Sequence, residues 1–342
     1  SSDLSYSIDI FYFLLFDPAA GTGTDPRPAQ PLQFFAPGLG RILARTAWDE
    51  TASWFTYKLG WSSIDHQVAD GNQFEFFRRG EWLVKERSGY DLDSGASINH
   101  NTLSLQNDPG EWEESDYRYA LSRTGSQWTY VPADPTIVAR TLGRDFVYAL
   151  GDATNLYNYR DRLTDISHAS RSIVWLEPDY IVIYDRAESK TAGRFKRFWL
   201  NLPNQPVVSG TRATMATASG QQLFVTTLLP GDAVLSAVRA EVLTGDPATN
   251  DPIQFRLGVE APGGPRSARF LNVLQGADAG DAAGSVTAVQ SSAGTPFAGA
   301  VVRNTAVMFP VTLSGGFSGT TDRKSTRLNS SHVSESRMPS SA

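Results

Sequence analysis

A polar loop around His66 carries residue types from which a catalytic or binding site could be built. His66 is one of only four histidines in 342 residues, and it shares the loop with Asp65, Asp70 and Asn72. An imidazole beside carboxylates can act as a general acid or base, as a cation that neutralises a carboxylate, or as a metal ligand. The alternative is a surface histidine without a task. Because many polar groups precede a strand pattern here, we weigh the functional site and the surface histidine without a task equally.

A second candidate site joins Glu86 to His100 and Asn101. Glu86 is the last residue of the strand pattern EWLVKE, and His100 precedes the strand pattern NTLSLQ. If these strands are neighbours, the acid and the imidazole meet at one edge of a sheet. Ligands of this kind suit zinc, which often takes three protein ligands and a water. The alternative is an ordinary cross-strand contact, and the spacing alone favours it because no HxxxH or HxH motif is present.

Other chemically capable residues have simpler interpretations. His168 and Arg171 lie just before a strand, where His168 could orient Arg171 toward an anionic ligand that a planar guanidinium binds in bidentate fashion. The alternative, which we favour, is a partly buried histidine with an arginine packed on an aromatic ring. The eight Trp and twelve Tyr can stack on sugars, but most of them are expected to fill the core.

Composition limits the classes of function. The sequence is 41% hydrophobic and 11% aromatic, as in globular proteins, with a formal net charge of −6. An acidic chain gives no support for binding nucleic acid or an anionic membrane surface. The sequence has no run of about 18 apolar residues, so no transmembrane helix is predicted. No signal peptide is visible. The absence of Cys excludes disulfides and thiolate metal sites.

Strand patterns dominate from Leu39 to about Pro310, and we predict an all-β fold. Gly, Pro, Asn or Asp separates short segments that alternate or are rich in β-branched and aromatic residues. We expect a multi-layer, supersandwich-like antiparallel β-sandwich. Two hairpins are predicted, at Arg79-Gly80 and at Glu177-Pro178-Asp179, and no helix is expected after Phe16. The predicted strands include RILART, SWFTYKL, QFEFFRR, EWLVKE, NTLSLQ, TIVARTL, DFVYAL, RSIVWL, DYIVIYDR, RFKRFWLN, QLFVTTLL, PIQFRLGV and RFLNVL.

The two ends of the chain differ from the region between them. Residues 1–16 show a helical stripe and are expected to be the last helix of a larger unit. Residues 17–38 are rich in Pro and Gly and are expected to form a linker. The β domain is expected over 39–321. Residues 322–342 are Ser-rich: one interpretation is a disordered basic tail, and the one we prefer is that they resemble a translated sequencing adapter.

Several separated segments together resemble the heparinase II/III-like family of polysaccharide lyases. The resemblance covers about Leu4 to Leu274 and rests on RTAWDETASWFTYKLG, DHQVADGNQFEFFRRGEWLVKERSGYD, HNTL, ISHASRSIVWLEPDYIVIYDR and QQLFVTTLLP. Members combine an N-terminal α/α toroid with an antiparallel β domain of several sheets. The resemblance therefore implies that the first helix is a remnant of such a toroid.

The resemblance also implies a reaction, β-elimination at uronic-acid residues of an anionic polysaccharide. The substrate carboxylate is neutralised, a base removes the C5 proton and an acid protonates the leaving oxygen; neutralisation favours the developing negative charge. By resemblance His66 is the catalytic histidine of the β domain, whereas the family's tyrosine and asparagine belong to the toroid. We expect substrate contacts from Asn72, Tyr90, Asn101 and Arg171. Without a toroid the chain is expected to be inactive, and the competing class is a non-catalytic carbohydrate-binding or structural β domain.

Some members of the family hold a metal ion, and the resemblance places two of its ligands at Glu86 and His100, with zinc or calcium as the ion. The third position falls on Val68, which cannot bind a metal, and Glu86 stands where Asp is more usual. The site is then either lost or rebuilt with His66 or Asp70. The resemblance further implies a bacterial protein that is periplasmic or secreted.

Overall fold

A computed structural model of the chain describes residues 23–60, 68–87, 95–107, 117–128, 133–159, 163–239 and 253–312. The chain divides into two units, residues 1–31 and 32–342. Within the described part of the first unit a 3-10 turn spans Arg27–Ala29, with an ion pair between Asp25 and Arg27. All four β-sheets belong to the second unit. Among the described residues no helix is long and apolar enough to cross a membrane.

The first sheet is an antiparallel meander of five strands in chain order. Its strands are β1 (Gln33–Ala36), β2 (Arg41–Arg45), β3 (Ser53–Lys58), β4 (Gln73–Arg78) and β5 (Glu81–Val84). β3 alternates between buried and half-buried residues over its whole length. This alternation places one face on the core and leaves the other face toward solvent.

The second sheet has eight strands and lies at the centre of the molecule. Its spatial order is β12-β13-β14-β17-β10-β9-β8-β7. Strands β9 and β10 form a long hairpin and are buried almost throughout, as expected for strands covered on both faces. The ranges are β7 (Thr136–Leu142), β8 (Phe146–Asp152), β9 (Ile166–Leu176), β10 (Tyr180–Ser189), β12 (Val207–Ser209), β13 (Arg212–Ala216), β14 (Gln222–Leu229) and β17 (Ser267–Ala277).

Two smaller sheets complete the layers. The third has the order β15-β16-β11-β6, and the fourth the order β18-β19-β20. The ranges are β6 (Leu103–Leu105), β11 (Lys196–Leu202), β15 (Val234–Arg239), β16 (Phe255–Glu260), β18 (Val286–Gln290), β19 (Phe297–Val302) and β20 (Thr305–Pro310).

Two apolar layers, one on each side of the central sheet, form most of the core, and a smaller cluster lies around Trp128. On one side, side chains such as Ile183 pack with Phe55 of the first sheet and Phe198 of the third. On the other side, Tyr184 and its neighbours pack with Phe309 of the fourth sheet. The predicted all-β, multi-layer antiparallel sandwich is therefore confirmed.

Both predicted hairpins are confirmed. The β4–β5 turn consists of Arg79 (φ 45°) and Gly80 (φ 87°), the two positive φ values that a tight two-residue hairpin requires. The β9–β10 turn uses Glu177 to Asp179, with Tyr180 paired to Leu176.

One helix and several strands of the described residues were not predicted from the sequence. The helix α1 spans Tyr117–Thr124, and its Leu121 packs with Trp128 and Leu163. Eight residues are too few for a repeating apolar stripe to be recognised. The strands not predicted are β1, β12, β13, β15, β18, β19 and β20. β1 lies inside the stretch expected to be a linker. The remnant helix expected in residues 1–16 and the tail at 322–342 lie outside the described residues.

Candidate functional site

Glu86 and His100 are brought together where the first and third sheets adjoin. Glu86 follows β5, and the amide of Lys85 donates to the carbonyl of Asn201 in β11. His100 ends the 3-10 turn Ser97–Asn99 ahead of β6. Its Nδ1 lies 3.0 Å from Oε2 of Glu86. The acid and the imidazole thus meet, but between edge strands of two sheets and not within one.

The contact places a proton on Nδ1 of His100. An ionised carboxylate can only accept hydrogen bonds, so Nδ1 is the donor. His100 is 2% exposed, and its Nε2 has no hydrogen-bond partner among the described residues. Burial alone would raise the pKa of Glu86, but the hydrogen bond and charge of His100, with the charges of Lys58 and Lys85, outweigh burial and lower it. Glu86 is therefore ionised at neutral pH.

Asp70 and Lys58 form an ion pair beside this dyad. Lys58 is the last residue of β3, and its Nζ contacts Oδ2 of Asp70. The Asp70 side chain is 2% exposed, whereas that of Lys58 is 22% exposed. Burial raises the pKa of Asp70, and the charges of Lys58 and His100 oppose this rise. Oδ1 of Asp70 has no hydrogen-bond partner within the described ranges.

These side chains do not fit the metal site that the family resemblance implies. Val68 offers only hydrocarbon at the position of one ligand, and the ammonium of Lys58 already contacts Asp70. In the part of the chain that is described, no group of three or more His, Cys, Asp or Glu side chains is arranged to hold a metal ion. His66, which could rebuild the site, lies outside the described residues.

Arg171 was expected to contact substrate, but the structure places it in the core. Its side chain is fully buried between the rings of Phe74 and Phe198, with its guanidinium carbon 5.5 and 5.2 Å from their centres. Nε and Nη2 donate to the two carboxylate oxygens of Asp185 at 2.7 and 2.9 Å. A guanidinium enclosed in this way cannot reach a ligand, so the expected substrate contact is replaced by a structural ion pair.

Nη1 of Arg171 links two backbone segments around the site. Nη1 donates to the backbone carbonyls of Asn72 at 2.7 Å and Asn101 at 2.6 Å. One buried cation therefore holds the backbone beside Asp70 and the backbone beside His100 in fixed positions. Burial raises the pKa of its partner Asp185, and the charge of Arg171 opposes that rise.

Asn72 and Asn101, also expected to contact substrate, use their side chains internally. Oδ1 of Asn72 accepts from the hydroxyl of Tyr57 at 2.6 Å, and its backbone has a φ of 63°. Asn101 is fully buried; its Nδ2 donates to the carbonyl of Phe74 at 2.8 Å, and its Oδ1 accepts from the amide of Asn201 at 2.7 Å. Both residues join the sheets and do not present free amides.

The other residues considered for the site are His66, Tyr90 and His168. His66 and Tyr90 lie outside the described residues. His168 is described, and its Nε2 lies 2.8 Å from Oγ of Ser170, not on Arg171. Burial lowers the pKa of His168. The structural interpretation of this histidine, favoured from the sequence, agrees with these contacts.

Comparison with known proteins shows the fold. No protein-family profile matches the chain, and no curated protein matches it by sequence. Solved structures do match: a heparinase III gene product has a TM-score of 0.63 at 12% identity, and the match covers 82% of this chain and 42% of the other. The chain has a heparinase III-like fold.

A second solved structure with this fold is the heparan sulfate lyase HepC from Pedobacter heparinus. Its TM-score is 0.62 at 15% identity, and the match covers 90% of this chain and 47% of HepC. A further heparinase III has a TM-score of 0.57 at 13% identity. The chain thus spans less than half the length of these structures. Identities this low show the fold alone, and the resemblance recognised from sequence is confirmed at that level.

Within this heparinase III-like fold, the solvent side of the first sheet carries a row of four side chains that the sequence analysis did not single out. Arg45, Trp54, Phe77 and Trp82 are directly paired across β2 to β5, and all four are half-buried. The guanidinium carbon of Arg45 lies 4.3 Å from the ring centre of Trp54 and 4.0 Å from that of Trp48. We call the four paired residues the aromatic row.

Lys58 and Asp185 were also missed as residues that shape the site. Neither belongs to a recognisable motif, because Lys58 ends an ordinary alternating strand and Asp185 lies within the buried strand β10. A charged residue inside the apolar run YIVIYD was the one available signal for Asp185, since a buried carboxylate requires a partner.

Proposed function

We propose that this chain is the β-sheet part of a polysaccharide lyase that cleaves an anionic, uronic-acid-containing polysaccharide by β-elimination. The observation that carries the proposal is the heparinase III-like fold, which covers 90% of the chain when compared with a heparan sulfate lyase. That lyase is about twice as long as the matched region, which corresponds to 47% of it. We therefore expect the chain by itself to be inactive, because the resemblance assigns the tyrosine and asparagine of the reaction to a helical toroid.

Described residues that come shortly after His66 and Tyr90 in the sequence are hydrogen bonded to each other. The amide of Ala69 donates to the carbonyl of Gly95 at 2.9 Å, and Oγ of Ser97 donates to the carbonyl of Ala69 at 2.9 Å. We propose that His66 takes part in proton transfer and that Tyr90 contacts the sugar.

Glu86 has a different role in this proposal. Its side chain is 25% exposed, and it is kept ionised by His100. A carboxylate of this kind accepts hydrogen bonds from sugar hydroxyls. We propose that Glu86 orients the sugar in this way and that His100 positions Glu86. Asn72, Asn101 and Arg171 then act indirectly, by holding the backbone that surrounds the site.

The test is the ultraviolet absorbance of the unsaturated uronate product. The protein to be assayed joins this chain to the helical toroid, and the substrates are heparan sulfate, alginate and hyaluronan. We expect turnover on at least one polymer and loss of turnover in His66→Ala. The matched control is His168→Ala, because His168 is bonded to Ser170, and it should retain turnover. Absence of product on every polymer, or full activity in His66→Ala, would overturn the proposal.

We also propose that the protein acts outside the bacterial cytoplasm, in the periplasm or after secretion. A polysaccharide substrate is too large to cross a membrane unaided, so an enzyme that degrades it must meet it outside. Fractionation of the native cells, followed by immunodetection, checks this location. Recovery in the cytoplasmic fraction alone would contradict it.

A second candidate function is carbohydrate binding without catalysis, and the aromatic row favours it. The row places a guanidinium and three aromatic rings across four neighbouring strands, which are spaced by about 4.8 Å. Aromatic faces stack on sugar rings, and a guanidinium binds carboxylates or sulfates. A polysaccharide lying across the strands would meet one side chain after another.

Binding of the chain itself to immobilised heparan sulfate and alginate tests this second candidate. We expect Trp82→Ala and Arg45→Ala to weaken retention. Phe34→Ala is the control, because Phe34 is 53% exposed in β1 of the same sheet but is not part of the aromatic row. Equal retention of all variants would exclude the aromatic row as a binding surface.

A further inference from the structure

Lys58 lies where its ammonium can neutralise an acidic group of the candidate site. Its Nζ contacts Oδ2 of Asp70, a carboxylate that is 2% exposed and therefore needs a neutralising partner. The ammonium thus compensates the negative charge of a carboxylate that the fold buries.

This charge distribution opposes the binding of a divalent cation. A metal ion would need the carboxylates of Asp70 and Glu86 as ligands, and it would then approach the ammonium of Lys58. Like charges a few ångströms apart in a partly buried site repel strongly. Glu86 already accepts from Nδ1 of His100, and the side chain of Val68 has no atom that can bind a metal ion.

We propose that Lys58 is a built-in cation that takes the place of a divalent metal ion at this site, so that the protein holds its site together without metal. The ammonium is covalently attached and cannot be removed by a chelator. Unlike a metal ion, it demands no fixed coordination geometry, so it can pair with one oxygen of Asp70. This inference concerns charge and stability, and it stands whether or not the chain is part of a lyase.

The first experiment measures metal content and thermal unfolding of the purified chain. We expect far less than one equivalent of zinc or calcium after purification in buffers that contain these ions. The unfolding temperature should be the same with EDTA, with zinc chloride and with calcium chloride. One bound equivalent of either metal, together with a lower unfolding temperature in EDTA, would overturn the proposal.

The second experiment removes the ammonium. Lys58→Met leaves Asp70 buried without its partner, so we expect a lower unfolding temperature, and added zinc or calcium should now raise that temperature. Lys85→Met is the matched control: Lys85 is a lysine near Glu86 whose Nζ donates to a backbone carbonyl at 3.0 Å, and its loss should create no response to metal.

A double variant keeps the proposal testable if Lys58→Met does not fold. Lys58→Met combined with Asp70→Asn removes both charges and should regain most of the lost stability, without a response to metal. If the single variant is as stable as the wild type, or if the double variant is less stable than the single one, Lys58 does not neutralise this site.

Discussion

At the scale of single residues, the charges that the fold buries explain more of the candidate site than the residues that look catalytic in the sequence. Arg171 and Asp185 are both fully buried, and their bidentate pair fixes two backbone carbonyls next to the site. A buried ion pair is not a large net gain in stability, but its loss is severe when one charge remains without a partner.

We therefore predict that Arg171→Met lowers the free energy of unfolding by about 3–5 kcal/mol, because Asp185 is left buried and unpaired. Urea unfolding followed by circular dichroism measures this change. The control is Arg197→Ala, whose pair with Glu260 is 35% and 38% exposed; it should change stability by less than about 1 kcal/mol. Similar effects of both substitutions would show that burial of the pair does not determine its importance.

At the scale of secondary-structure elements, β11 begins with a lysine that is fully buried. Nζ of Lys196 donates to Oγ of Ser189 at 2.8 Å and to the carbonyl of Pro265 at 2.6 Å. These contacts join the start of β11 to the end of β10 and to the loop before β17. Burial lowers the pKa of Lys196 to about 8, although the charge of Asp165 opposes the shift.

The lowered pKa predicts how stability depends on pH. In the folded state Lys196 loses its proton near pH 8, whereas in the unfolded chain it does so near pH 10.4. Between these values the unfolded state binds more protons, so the free energy of unfolding rises with pH. Relative to Lys196→Met, the wild type should gain stability from pH 8 to pH 10, by at most about 1.4 kcal/mol per pH unit.

Urea unfolding of the wild type and Lys196→Met at pH 7, 8, 9 and 10 measures this difference. Groups that titrate in both proteins cancel when the two curves are subtracted. A difference that stays constant over this range would mean that the hydrogen bonds of Lys196 to Ser189 and Pro265 keep its pKa near the ordinary value.

At the scale of the whole molecule, the central sheet joins two cores. On the side of the first sheet the ring of Trp175 stacks on Phe55, with 5.7 Å between centroids. On the side of the fourth sheet Tyr184 stacks on Phe309, with 5.6 Å between centroids. Stability of the layered arrangement should therefore depend on large side chains at both interfaces and little on the exposed edges.

Trp175→Ala should lower the free energy of unfolding by about 3–5 kcal/mol, because it opens a cavity between two layers that cannot fully collapse. Val207→Ala in β12 should change it by less than about 0.5 kcal/mol, because Val207 is 73% exposed. Denaturant unfolding measures both. A small effect of Trp175→Ala would indicate that the first and second sheets are loosely packed.

Much of the architecture could be predicted from the sequence, because strands and tight turns depend on neighbouring residues. Alternation predicted β3 and β4, and the Arg79-Gly80 turn was predicted because glycine tolerates positive φ. Strands such as β15, which is exposed over most of its length, and β19, with the small residues of FAGAVV, carry no such pattern. Their pairing depends on partners elsewhere in the chain.

Periodicity and local motifs were enough to predict the fold class and the resemblance to heparinase II/III-like lyases, because both can be recognised along the chain. The contacts between polar residues, in contrast, became visible in the folded chain. The tertiary structure paired Glu86 with His100, turned Arg171 inward to Asp185, and placed the ammonium of Lys58 on Asp70. A buried charged side chain needs a partner that compensates its burial. Partners that come from different sheets cannot be predicted from the spacing of residues along the chain.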